Sequence, residues 1–202
     1  MSERNYHQDC ALARASDLLG ERWTLLVVRD LLIAPRRFSE LEMRLKGIGT
    51  NLLAKRLKDM QSAGLVSGGE ARSGYCLTEM GIALEPMVLQ LVRWSFQWVR
   101  GASNPTDLHF PDWDLLALKS LFVPDPNMRK PLVARFEADN WIAWIEIDRR
   151  RYACGLGEPD VAPDVFFPCA IPALRTPEPV LSIMNALMRG KATRLLSCFP
   201  IT

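Results

Sequence analysis

Long apolar runs are missing from this 202-residue sequence. None approaches the roughly 18 residues a membrane span needs, and Met1 to Gln8 is polar, without the apolar core of a signal peptide. A cytoplasmic location and no membrane partner are expected. Histidine is scarce: His7 and His109 stand far apart with no paired partner, which argues against a histidine metal site or a serine-histidine triad. The five cysteines (Cys10, Cys76, Cys154, Cys169, Cys198) are odd in number and scattered, and they never form a C-x-x-C pair. Neither a disulfide framework nor a structural zinc site is therefore indicated, and reduced thiols are expected. There is no Gly-rich phosphate loop, no G-x-S-x-G elbow and no metal-ligand pair. Acids such as Glu146, Asp148 and Asp160 sit among arginines, where a solvated surface accounts for them. An enzyme, a cofactor and a metal are not expected.

What is present is the composition of an ordinary globular protein, 49% hydrophobic and 24% charged, which excludes overall disorder. The net charge of +2 is unevenly spread. Residues 1–100 carry 14 Lys/Arg against 11 Asp/Glu, and residues 101–202 carry 11 against 12, so the basic side is the N-terminal half. Apolar periodicity runs from about Cys10 to Val99 and stops at Gly101-Ala-Ser-Asn-Pro-Thr-Asp107, a stretch of turn formers. Two different folds are expected, over 1–100 and 113–202, joined by a linker at 101–112.

In the first half, Asp17 to Gly20 is expected to separate a short helix from the dense apolar run Trp23 to Ile33, a buried helix ended by Ala34-Pro35. Phe38, Leu41 and Leu45 recur at helical spacing and define a short helix closing at Gly47. After the turn Lys46-Gly-Ile-Gly49, a third helix from Thr50 presents Leu52, Leu53, Leu57 and Met60 inward and stops at Ala63-Gly64. Its other face carries Thr50, Asn51, Lys55 and Lys58, hydroxyl, amide and cationic groups able to reach base edges and phosphates. The pair reads as helix-turn-helix.

Leu65-Val66 and Tyr75-Cys-Leu77 are short strand-like segments around a tip of mostly small residues, a wing hairpin. Its single cation, Arg72, suits either a backbone or minor-groove contact or a solvated tip. Thr78 is a candidate N-cap. Leu84, Met87, Leu91, Trp94 and Trp98 then follow at alternating three and four spacing along a long helix, which kinks or begins at Pro86. The stripe must be covered, either by an intrachain core or by a homodimer interface, which is the preferred reading.

Cys10, Gly20-Glu-Arg-Trp23-Thr-Leu-Leu26, Arg29-Asp-Leu31, Arg37-Phe-Ser-Glu-Leu41, Gly47-Ile-Gly, Leu53 to Leu57, Gly64-Leu-Val66, Leu77-Thr-Glu-Met-Gly81 and Trp94 together resemble the HxlR family. That family consists of bacterial winged-helix regulators, usually dimeric, several of which sense oxidants or electrophiles through an N-terminal cysteine. The resemblance covers about residues 8–100. It implies that Thr50, Asn51 and Lys55 face the major groove and that Arg37, Lys58 and Arg72 contact phosphates. Arg56, between Leu53 and Leu57, either reaches phosphate or braces the helix. Cys10 matches the family's cysteine, which implies a redox switch; as a small buried residue it would have no such role. Arg14, one turn later, would lower its pKa if both point the same way. Two departures stand out: Gly49 replaces the family's frequent serine at the cap of the recognition helix, and the wing is shorter and less basic.

Residues 113–202 begin with a short helix, Trp113 to Phe122, and continue with strand-like segments at 132–136, 141–147, 152–155 and 165–167. A helix at 180–188 and a last strand at 193–199 complete an α+β domain with an antiparallel sheet. This order resembles the sterol carrier protein type 2-like domain, which implies an apolar tunnel walled by Trp141, Trp144, Phe166, Met184 and Met188; the alternative is that these residues are plain core. A third role for this half is to widen the dimer contact.

The expected function is that of a homodimeric DNA-binding transcriptional regulator, repressor or activator, on double-stranded DNA with a pseudo-palindromic operator. It would answer to an apolar small molecule or to a redox signal. The alternatives are a lipid-like ligand carrier or enzyme domain whose N-terminal half only dimerises, and a protein-interaction adaptor using the tryptophan-rich helix.

Overall fold

In the computed structural model, which describes residues 5–70, 73–99, 107–138 and 141–167, the chain divides into two units, Met1–Val88 and Leu89–Thr202.

The first unit opens with α1 (Ala11–Leu19), which runs through Asp17 and ends only at Gly20, whose N–H closes on the Ser16 carbonyl. Asp17 was expected outside the helix. Helix α2 (Thr24–Ile33) is entered through Trp23, held in the left-handed region at φ 82°, an unusual conformation for a bulky residue. It ends where Pro35 forces Ala34 to be extended. Helix α3 (Phe38–Arg44), a turn with Gly47 at φ 95°, and α4 (Thr50–Ser62) follow. Gly47 is needed there because a side chain at that φ is strained.

Strands β1 (Val66–Glu70) and β2 (Gly74–Leu77) form the hairpin, paired from Val66 with Leu77 to Glu70 with Gly74. Arg36 adds a bridge to Tyr75, so the segment before α3 is tied to the wing by two backbone hydrogen bonds. Thr78 caps α5 (Glu79–Ile82), its hydroxyl accepting from Gly81 N–H. Helix α6 (Glu85–Trp98) starts one residue before the proline and continues past Val88 into the second unit; Pro86 lies in its first turn, where no intrahelical N–H is needed. Val27, Val28, Leu41, Leu45, Leu53 and Leu57 form the fully buried centre of this unit.

The second unit holds α7 (Trp113–Leu121) and a four-stranded sheet of β3 (Leu132–Ala138), β4 (Trp141–Ile147), β5 (Tyr152–Leu156) and β6 (Val165–Phe167) in the order β5-β4-β3-β6. The pairs β3–β4 and β4–β5 are antiparallel, as expected, and β6 joins β3 in parallel, so the sheet is mixed. One face carries Phe136, Ile145, Ile147, Tyr152 and Phe167. Tyr152 donates to the Leu115 carbonyl of α7 at 3.3 Å, and Phe136 stacks on Phe167 at 4.9 Å. Burial pushes the Tyr152 hydroxyl well above its ordinary pKa. The other face carries Arg135, Trp144 and Phe166, with Gly155 opposite Trp144; a Cβ at Gly155 would lie 2.8 Å from the indole.

This alternation corrects the expected tunnel wall. Trp141 and Trp144 are an odd number of residues apart on one strand, so they occupy opposite faces, and Phe166 lies with Trp144, half exposed. The three cannot line one cavity. Met184, Met188, the helix at 180–188 and the strand at 193–199 lie outside the described residues.

Candidate nucleic-acid interface

The angle between α2 and α3 is held by charge. Asp30, fully buried on α2, accepts from Arg44 Nε of α3 at 2.7 Å and from Arg29 at 2.7 Å. Guanidinium groups, those of Arg29 and Arg44 among them, answer the desolvated carboxylate, which keeps the cluster from carrying an unpaired charge. This clamp lay inside a hydrophobic run and was not foreseen from the sequence. Ile48 plugs the turn, and α4 then starts from Gly49, whose carbonyl accepts from Leu53 N–H at 3.0 Å without a side-chain cap.

On α4 the buried stripe is Leu53, Arg56, Leu57 and Met60. Two expectations are corrected here. Leu52, assigned inward, is 41% exposed because it lies off the i, i+3, i+4, i+7 stripe that starts at Leu53. Arg56 belongs to that stripe: its Nη2 meets Glu21 at 2.9 Å and Nη1 lies 3.8 Å from Asp59. It braces the helix from behind and is withdrawn as a phosphate contact.

Thr50, Asn51, Lys55 and Lys58 are all exposed on the opposite face. The Thr50 hydroxyl donates to Glu42 of α3, so an acid already occupies its donor. Lys55 and Lys58 have no ion-pair partner among the described residues. Arg37, exposed at the start of α3, gives its backbone N–H to Glu40 at 2.7 Å and leaves its side chain in solvent. Lys46 is exposed in the turn itself, a cation that helical spacing did not single out because it lies between helices. Gln61 Nε2 donates to the Gly68 carbonyl at 2.7 Å, fixing the end of α4 to the wing. Arg72 lies outside the described residues.

Cys10 is exposed immediately before α1, and Arg14 pairs with Asp9 at 3.2 Å, in contact with a carboxylate. Along α6, Leu84 packs on the core, while Met87, Leu91, Trp94 and Trp98 are 37%, 45%, 55% and 64% exposed.

A three-helix head with a glycine turn, a hydrophilic face on its third helix and a trailing hairpin defines a winged helix-turn-helix DNA-binding protein. The HxlR-like helix-turn-helix family description matches residues 18–103. The "Uncharacterized HTH-type transcriptional regulator YvaP" of Bacillus subtilis (strain 168) is 34% identical over 91 residues, 43% of this chain and 84% of the relative. YodB of the same organism, named an HTH-type transcriptional regulator, is 32% identical over 89 residues, 42% of this chain and 80% of the relative. A third relative, Rv3095 of Mycobacterium tuberculosis (strain ATCC 25618 / H37Rv), is 34% identical over 100 residues but is covered over only 63% of its own length. Among solved structures, quinone-bound YodB aligns at 32% identity over 44% of this chain and 99% of that one, with a TM-score of 0.41. The chain belongs to the HxlR-like helix-turn-helix family and is a transcriptional regulator; the relatives it matches are regulators, not enzymes.

Proposed function

We propose that the chain works as a homodimer that sets two α4 helices into successive major grooves of a pseudo-palindromic operator, with centres about 34–36 Å apart. The observation that carries this reading is the division of α4: a buried stripe on one side, and Asn51, Lys55 and Lys58 exposed on the other. Asn51 is suited to bidentate recognition of adenine, Lys55 to guanine, and Lys58 and Arg37 to phosphate. Thr50 takes part only by exchanging Glu42 for DNA. The exposed stripe of α6 is the dimer contact: four large apolar side chains on one helix face are costly in water and match a second copy of themselves about a two-fold axis.

A signal shifts the dimer between states that place the two heads differently. The exposed Cys10 thiol is one entry for it, by oxidation or electrophile attack, and the second unit, taking an apolar small molecule, is another. Repression and activation both follow from such a device.

A gel shift with DNA from upstream of the protein's own gene tests the reading. Wild type forms a sequence-specific complex, and Lys55→Ala weakens it about 10-fold, a typical loss for one base contact. No shift above random DNA at any salt concentration contradicts this reading of α4.

A further inference from the structure

The head carries an acid among its cations. Glu42, half-buried on α3, accepts a hydrogen bond from the hydroxyl of Thr50, the first residue of α4. Lys46 in the turn and Lys55 on α4 are both exposed, yet Glu42 forms no ion pair among the described residues. Thr50 and its neighbour Asn51 are exposed, so this hydrogen bond places the carboxylate beside the face of α4 turned away from the core. An acid next to the start of a helix suits the helix dipole, and Gly49 offers α4 no side-chain cap. That alone would make Glu42 a stabilising residue with no bearing on base choice.

An ionised carboxylate only accepts hydrogen bonds. Thr50 holds Oε1 and so orients the group, leaving Oε2 to accept. Phosphates repel it, as do guanine N7 and O6, adenine N7 and thymine O4, all acceptors; cytosine N4 and adenine N6 are the donors in the major groove. Adenine N6 lies between its own N7 and the O4 of the paired thymine, so a carboxylate that reaches it meets an acceptor on either side. Cytosine N4 has an acceptor on one side only, the O6 of its guanine. Cytosine is therefore the base edge that this carboxylate fits, and every other edge leaves it repelled or unpaired.

We propose that Glu42, oriented by Thr50, is a specificity-determining residue: it accepts from cytosine N4 in each half-site and lowers affinity for DNA that lacks a cytosine there. The inference rests on the reading of α4 given above and adds a repulsive element to it. Lys55 and Lys58 attract any DNA, and Glu42 admits one base.

Selection of duplexes from a random-sequence pool by the full chain is the test, with affinity for one random-sequence duplex measured alongside. Wild type selects a cytosine at one position of each half-site, and replacing that cytosine weakens binding about tenfold, within the range for one base contact. Glu42→Ala loses the preference at that position alone and binds the random duplex more tightly than wild type, because a charge facing phosphate is gone. Glu42→Gln, whose amide both donates and accepts, selects adenine there instead. A purely stabilising Glu42 would leave the selected sequence the same in all three proteins and lower the urea midpoint of Glu42→Ala. No selected cytosine in wild type, an unchanged cytosine in Glu42→Ala, or weaker binding of the random duplex by Glu42→Ala overturns the proposal. If the selected sequence changes with Lys55→Ala but not with Glu42→Ala, this inference fails and the reading of α4 stands. If wild type selects no sequence at all, both fail.

Discussion

Asp30 and Arg44 show how a single residue can decide the reading head. A carboxylate with no exposure accepts from Arg44 and Arg29, so removing Arg44 takes one of its partners from a buried charge. Arg44→Met is expected to lose about 3–5 kcal/mol of stability in urea unfolding. Lys55, by contrast, is solvated and unpaired among the described residues, so Lys55→Ala should leave the urea midpoint within experimental error. In the second unit, Asp148 accepts the backbone N–H groups of Arg150 and Arg151 at 2.8 Å each, and these hydrogen bonds hold its carboxyl below the usual aspartate pKa. A depressed folded-state pKa means that the stabilisation is present above the unfolded value of about 4 and is lost as pH falls through the lower folded value. Asp148→Asn removes that part of the acid dependence, which unfolding curves between pH 2 and pH 6 would show as a flatter acid limb.

At the scale of elements, α4 and α6 carry opposite lessons. On α4 the two faces were legible from spacing, yet Leu52 and Arg56 exchanged places because residue type was followed where periodicity from Leu53 points to 56, 57 and 60. Strict spacing would have found the buried arginine. The glycine turn, the Thr78 cap and the wing were readable because each depends on local backbone chemistry; Thr78→Ala should cost about 1 kcal/mol, measured by thermal or urea unfolding. The Asp30 clamp was not readable, since its partner lies 14 residues away on another helix. Nor was the parallel placement of β6, which depends on how a chain segment crosses to the far side of β3. Strand parity would have separated Trp141 from Trp144 before any coordinates were known. On α6 the apolar stripe was legible and its exposure was not. Trp94→Glu is expected to halve the mass seen in analytical ultracentrifugation, because it puts a charge at the centre of the proposed dimer seam.

The whole molecule joins a DNA-binding head to a second unit, Leu89–Thr202, of which the family match, ending at residue 103, covers only the beginning. The head has its own core, its own ion-pair clamp and a braced recognition helix, so its geometry follows from contacts within Met1–Val88. The second unit has a helix-backed mixed sheet whose two faces differ sharply, one apolar against α7 and the other built on Arg135, Trp144 and Phe166. On the proposed reading, the affinity of the dimer for DNA comes from two modest heads acting together. The exposed face of α4 carries two lysines, Lys55 and Lys58, and Glu42 beside Thr50 reduces the local positive potential, so the salt dependence of binding should have a shallow slope.

The central claim is that α4 reads the major groove twice, and dimethyl sulfate interference tests it most directly, because that reagent marks guanine N7 in the major groove. With the full chain on DNA from upstream of its own gene, the account predicts two clusters of interference centred about 10–10.5 base pairs apart, both weakened in Lys55→Ala. A specific complex with no major-groove interference, or a single cluster indifferent to Lys55→Ala, would contradict it.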